Sequence, residues 1–136
     1  MTVALEIISP ERLLLARPVD MVVIPGTEGD LGILPGHSRL ITSLRGGMID
    51  LYENDAVVDR YFVSGGFAEV TEERCTVLAD AIMKLAELDA QDAADELARA
   101  EADYREVDEA DASAYRAASD RLITAQAKVD TLAERS

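Results

Sequence analysis

The sequence predicts a β-sandwich followed by an antiparallel two-helix hairpin, a β plus α chain. Three observations carry this. All eight glycines and all four prolines lie before Phe67. Of the 21 alanines, five fall in the first 80 residues and 16 in the last 56. Finally, the apolar spacing changes at the same boundary, from short runs between turns to a helical repeat. The break lies near Ala79 to Lys84, so the expected domains are a sandwich over residues 1–84 and an Ala-rich hairpin over 85–136.

Each strand is marked by its turn. Val3 to Ile8 ends at Ser9-Pro10. Leu13-Leu14-Leu15 is expected to stop at Pro18, and the β-branched run Val19 to Ile24 at Pro25-Gly26. A shaped loop follows, Gly26-Thr27-Glu28-Gly29-Asp30-Leu31-Gly32-Ile33-Leu34-Pro35-Gly36-His37. Its glycines point to positive φ or a close backbone approach. Leu40 to Leu44, Met48 to Tyr52, Val57 to Val63, Phe67 to Thr71 and Cys75 to Ala79 complete the set. Nine or so short strands at this spacing predict an antiparallel sandwich or barrel, with no βαβ rhythm.

In the second part, Ala90, Ala93, Leu97, Ala100, Tyr104 and Val107 are spaced 3, 4, 3, 4, 3. Tyr115, Ala118, Leu122, Ala125, Val129 and Leu132 repeat that spacing. Asp89 is the expected N-cap of the first helix, with Asp92 in its first turn; Asp111 or Ser113 caps the second. The short polar link Asp108-Glu109-Ala110-Asp111 makes the pair antiparallel. Stripes so rich in alanine bury little apolar area, so at about 25 cal/mol per Å² the hairpin alone is marginal. It is expected to need a dock, on the sandwich or elsewhere, and to be able to leave it.

Composition removes several function classes. A net charge of -14 argues against nucleic acid, which needs clustered Lys and Arg, and against anionic lipid. Cys75 is the single cysteine, which fits a reducing compartment. No apolar stretch is long enough to span a bilayer, and the start lacks a signal-peptide pattern. Any membrane role is expected to come through a partner.

No catalytic, metal or cofactor site assembles in the sequence. The glycine-rich loop lacks the Gly-Lys-Ser/Thr ending of a phosphate loop, and Glu28 and Asp30 would repel phosphate. His37 is the only histidine, so with Cys75 it cannot complete a zinc site. His37 and Ser38 are adjacent, a poor arrangement for a base and its nucleophile, and no Gly-x-Ser-x-Gly elbow exists. Ser64 belongs to a turn, and Cys75 lies in an apolar strand as an inert thiol.

These segments resemble a known family. The loop from Gly26 to His37, together with Ser64-Gly65-Gly66-Phe67-Ala68-Glu69-Val70, Thr76-Val77-Leu78-Ala79-Asp80 and Leu88-Asp89, is similar to the epsilon subunit of bacterial F-type ATP synthases. The resemblance spans essentially the whole chain. It implies a sandwich of ten strands, then the hairpin, in a non-catalytic subunit of the rotor's central stalk. It implies contact of Glu28, Asp30 and Leu31 with the proteolipid ring, and of Ser9, His37, Ser38, Ile41 and Thr42 with the gamma subunit. The implied role is coupling proton flow to ATP synthesis, peripherally on the cytoplasmic face of a bacterial inner membrane. The hairpin in this family can dock on the sandwich or extend toward the catalytic head and inhibit ATP hydrolysis.

Two departures from the family pattern stand out. Some members bind ATP through Ile or Leu, Asp, two residues, Arg and Ala. Here Leu88 and Asp89 are retained, but Asp92 stands in place of the arginine, so no ATP cofactor is expected. Residues 81–136 also carry 14 acidic against 7 basic side chains, which disfavours contact with an acidic segment of the head. Two other readings are a β-domain adaptor gripping a partner coiled coil, and a small ligand-binding or enzymatic sandwich using His37 and Glu28.

Overall fold

The computed structural model describes residues 1–135, in two compact units, Met1–Leu85 and the segment from Ala86 onward. The first unit holds ten strands: β1 (Val3–Ile8), β2 (Leu13–Val19), β3 (Met21–Gly26), β4 (Gly29–Ile33), β5 (Leu40–Leu44), β6 (Gly47–Glu53), β7 (Ala56–Val63), β8 (Gly66–Val70), β9 (Arg74–Ala79) and β10 (Ile82–Lys84). Their order is β10-β7-β6-β3-β5-β8-β9-β1-β2, with β4 paired to β3 beside this path.

Alternation builds the core. Val3, Leu5 and Ile7 of β1, Ala68 and Val70 of β8, and Cys75, Val77 and Ala79 of β9 point inward. They meet Val22, Ile24, Ile33, Ile49, Leu51 and Val63 from the other strands. Strand β3 changes partners along its length. Met21 to Val23 pair with β6, whereas Gly26 pairs with Leu44 of β5.

The structure departs from the sequence expectations at four points. Pro18 does not end β2, because β2 is the last strand of the path and Pro18 pairs only with Ala4, so its missing N–H faces no neighbour. Val19 therefore closes β2, and β3 starts after Asp20, whose Oδ2 accepts from the Asn54 N–H at 2.7 Å. The segment from Gly26 to His37 is not simply a loop: Gly29–Ile33 forms β4 and closes a hairpin with β3. Finally, the pairing is not wholly antiparallel, since β1 runs parallel to β9. Between β6 and β7, Asn54 and Asp55 have φ of 53° and 64°, the signature of a two-residue hairpin turn.

After a 3-10 turn at Leu85–Glu87, the second unit pairs α1 (Ala90–Glu106) with α2 (Ala112–Arg135). Asp89 caps α1, its Oδ1 accepting from the N–H groups of Gln91 at 2.8 Å and Asp92 at 3.1 Å. Of the two candidate caps for α2, Asp111 serves, accepting from the Ala114 N–H at 3.1 Å. The Tyr104 and Tyr115 hydroxyls are 2.7 Å apart and Lys128 donates to Glu96 at 2.8 Å, which sets the antiparallel register. Ala93 and Ala100 of α1 and Ala118 and Ala125 of α2 are all buried.

Candidate functional site

The β3–β4 hairpin presents the acidic residues named above. Its turn is Thr27-Glu28, both exposed. Asp30 sits opposite Pro25 and Leu31 opposite Ile24, one and two pairs back from the turn, so Glu28 rather than Asp30 occupies the tip. Leu31 is half-buried against the core. Asp30 is 63% exposed at its side chain and is paired with the Arg45 guanidinium. Sequence reasoning missed Arg45, because its only signal there was a lone basic residue before Gly46-Gly47.

A second surface is the outer face of β5, β8, β9 and β1. The register sets Ser43, Phe67, Leu78 and Ile8 in one row, and Ile41, Glu69, Thr76 and Glu6 in another. Ile41 is 74% exposed, Phe67 56% and Leu78 50%. Large side chains grouped so on a folded surface form an apolar patch of the kind that marks an interaction site. Glu6 and Arg74 pair at 3.2 Å toward the other end of this face. There, Ala4, Glu69, Thr71, Glu73, Arg74 and Thr76 line a cleft of about 530 Å³. The cleft holds carboxylates, hydroxyls and one guanidinium, with no imidazole or thiol to act as base or nucleophile.

The five residues assigned to gamma by resemblance do not form one cluster. Ser9 follows Ile8 and lies at the Leu78 end of the outer face, its Oγ donating to the Arg12 carbonyl at 3.2 Å. His37 lies at the opposite end, where the Gly36 N–H donates to the Glu72 carbonyl at 2.8 Å. Ile41 is central. Thr42, its neighbour on the strand, points to the other side of the sheet with buried Ala68 as its partner across the ladder. His37 Nδ1 is 2.7 Å from the Ser38 carbonyl oxygen, which can only accept, so Nδ1 carries a proton. The ring is thereby tied to the Ser38 backbone. Ser38 itself is exposed.

Cys75 is fully buried, and burial pushes its thiol up to about 12. Hydrogen bonding to Tyr104 holds the Tyr115 hydroxyl above its ordinary value. Among the described residues there is no group of three or more metal-ligating side chains, and no helix is long and apolar enough to cross a membrane. At the start of α1, Asp92 adds a second carboxylate beside the capping Asp89.

Comparison with known proteins gives this geometry its context. Residues 2–85 match the family model described as the ATP synthase delta/epsilon chain, beta-sandwich domain. The chain is 54% identical over 127 residues to the ATP synthase epsilon chain of Granulibacter bethesdensis, covering 93% of this chain and 94% of that one. It is 44% identical over 131 residues to the epsilon chain of Rhodospirillum rubrum, covering 92% and 96%. Among solved structures, a chain of the Euglena gracilis mitochondrial ATP synthase, in its OSCP/F1/c-ring assembly, superposes with a TM-score of 0.82 at 25% identity. That match covers 96% of this chain and 81% of the other. With the sandwich matched by the family model and nearly the full length matched by relatives of one kind, the chain belongs to the ATP synthase epsilon-chain family, accessory and non-catalytic subunits of that complex.

Proposed function

We propose that this chain is a rotor subunit of the central stalk, joining gamma to the proteolipid ring and coupling proton flow to ATP synthesis. It would sit peripherally on the cytoplasmic face of a bacterial inner membrane. Residues 1–84 form the rotor-binding part and 85–136 the hairpin that meets the catalytic head.

The observation that carries the proposal is the exposed apolar patch on an otherwise acidic molecule. Phe67, Leu78 and Ile41 are arranged to be covered by protein, and this outer face lies in the part of the chain that matches the family model. The Euglena gracilis assembly contains F1 and a c-ring, which supports a partner on each side. Gamma would cover the outer face, with Ser9 and Ile41 on it, His37 and Ser38 at its end, and Thr42 acting from behind by shaping β5. The ring would meet the hairpin, with Glu28 leading and Asp30 and Leu31 behind it.

Placing a charge in the apolar patch tests the gamma side. Phe67→Glu is expected to weaken capture of gamma by the full chain at least tenfold while leaving the circular dichroism spectrum unchanged. Gamma capture equal to wild type would count against the proposal, and recovery of a coiled-coil partner without gamma or ring would favour the adaptor alternative. On the ring side, Asp30→Lys is expected to loosen coupling. Unchanged proton-driven synthesis and assembly would remove Asp30 from the contact.

A further inference from the structure

Asp30 is not a free carboxylate. Its Oδ1 accepts from Arg45 Nη2. Asp30 stands opposite Pro25 in the β3–β4 ladder, and the Arg45 N–H donates to the Pro25 carbonyl at 3.0 Å. One residue therefore grips both strands of the hairpin at the same rung, by main chain on β3 and by side chain on β4. The space for this grip depends on Gly47. A Cβ there would lie 2.8 Å from Arg45 Nη1 and 2.9 Å from the Pro25 Cβ.

The anchor matters because of where Arg45 comes from. It directly follows Leu44, the last residue of β5, the strand that carries Ile41 and Thr42. Strand β4 pairs with β3 alone and has nothing on its far side within the sheet. The Thr27 N–H to Ser43 carbonyl bond, at 3.1 Å, steadies the turn, but it does not reach β4. The guanidinium does.

We propose that Arg45 is a positioning residue that locks the hairpin facing the ring to the strand facing gamma, so that the two contacts move as one body. The proposal rests on the assignment of Asp30 to the ring and Ile41 to gamma made above. It adds a physical account of how force crosses the subunit. A lone two-stranded hairpin bends under load, whereas one pinned to its neighbour at the loaded rung transmits it. Both side chains are part-exposed in the free chain, where such a pair contributes little. Covering by the ring would remove water from the pair and strengthen it.

The test uses four variants of the full chain, Arg45→Gln, Arg45→Lys, Asp30→Asn and the double Arg45→Gln/Asp30→Asn. Each is reassembled into the ATP synthase, and the ratio of ATP-driven proton pumping to ATP hydrolysis is measured in membrane vesicles. Arg45→Gln and Asp30→Asn are expected to lower the ratio by the same factor, twofold or more. The double variant should fall no further, and Arg45→Lys should retain most of the ratio. In the isolated full chain, amide exchange at Asp30 and Leu31 should rise roughly two- to fivefold in Arg45→Gln, the range a part-exposed pair supports. A wild-type ratio for Arg45→Gln beside a lowered one for Asp30→Asn would overturn the lock and leave the ring contact standing. Wild-type ratios for both would overturn the ring contact and the lock with it. Additive losses in the double variant would show separate roles and overturn the lock.

Discussion

At the scale of single residues, three positions have sharp expectations. Gly66 has φ of 133°, and a Cβ there would lie 2.0 Å from the Leu78 carbonyl oxygen. Backbone cannot step aside cheaply, so Gly66→Ala is expected to cost about 3 kcal/mol or more, read as a fall in the denaturation midpoint of the sandwich. Cys75 gives a pH signature. Its folded thiol is held near 12, above the 9.0 of an ordinary thiol, so its contribution is constant below pH 9 and is lost as pH rises toward 12. Against Cys75→Ala, the native chain should lose up to about 1.4 kcal/mol per pH unit in that window. A thiol reagent at pH 8 should label the folded protein on the order of a thousandfold more slowly than the unfolded one. Asp92 has a structural reason to be acidic, since it lies in the first turn of α1 beside the capping Asp89. Asp92→Arg should cost α1 about 0.5 kcal/mol and raise ATP affinity, measured by titration of the isolated chain. Tight ATP binding by the native sequence would contradict the expectation that Asp92 removes the site.

At the scale of elements, the two helices should respond to volume more than to charge. Among the described residues of the helices, Ala93 and Ala100 of α1 and Ala118 and Ala125 of α2 are the buried ones, each with a methyl-sized side chain. Ala118→Leu is therefore expected to force the helices apart and destabilise the hairpin by about 1–3 kcal/mol, seen as earlier loss of helical signal while the sandwich transition stays put. These helices were legible in the sequence because one spacing repeats across both, and caps such as Asp89 have few rivals nearby. Strands were legible where apolar and polar residues alternate, as in β1, β8 and β9. They were misread where proline or glycine signals did not say which edge they faced. Pro18 reads as a stop until β2 is known to be the outermost strand. Gly29 and Gly32 read as loop until β3 is known to pair with them through Gly26 and Val23. The candidate sites divide in the same way. Acidic residues at the hairpin stood out locally, whereas the Phe67–Leu78 row and the Arg45 grip depend on register between distant strands, which no local pattern encodes.

At the scale of the whole molecule, both units carry net negative charge. From Ala86 onward the chain carries 14 acidic and 6 basic side chains, so the helical part is expected to repel an acidic surface. Deleting residues 89–136 is expected to raise ATP hydrolysis by the assembled complex by less than about twofold, the size of a weak exposed electrostatic contact. A large rise would instead mean that the hairpin restrains the head strongly despite its charge.

The parallel pairing of β1 with β9 constrains how the chain is made. Val3, Leu5 and Ile7 emerge during synthesis before the other strands of the sandwich but lie between β2 and β9, and their partner residues on β9 come about 70 positions later. Until that later stretch has been translated, the first strand has one flank open and its inward row only part covered. The sandwich is therefore a high-contact-order structure that closes late, while each helix forms from neighbours a few residues away. A nascent chain stalled before Arg74 should remain protease-sensitive and able to recruit a chaperone, and should become resistant once Ala79 has cleared the ribosomal tunnel.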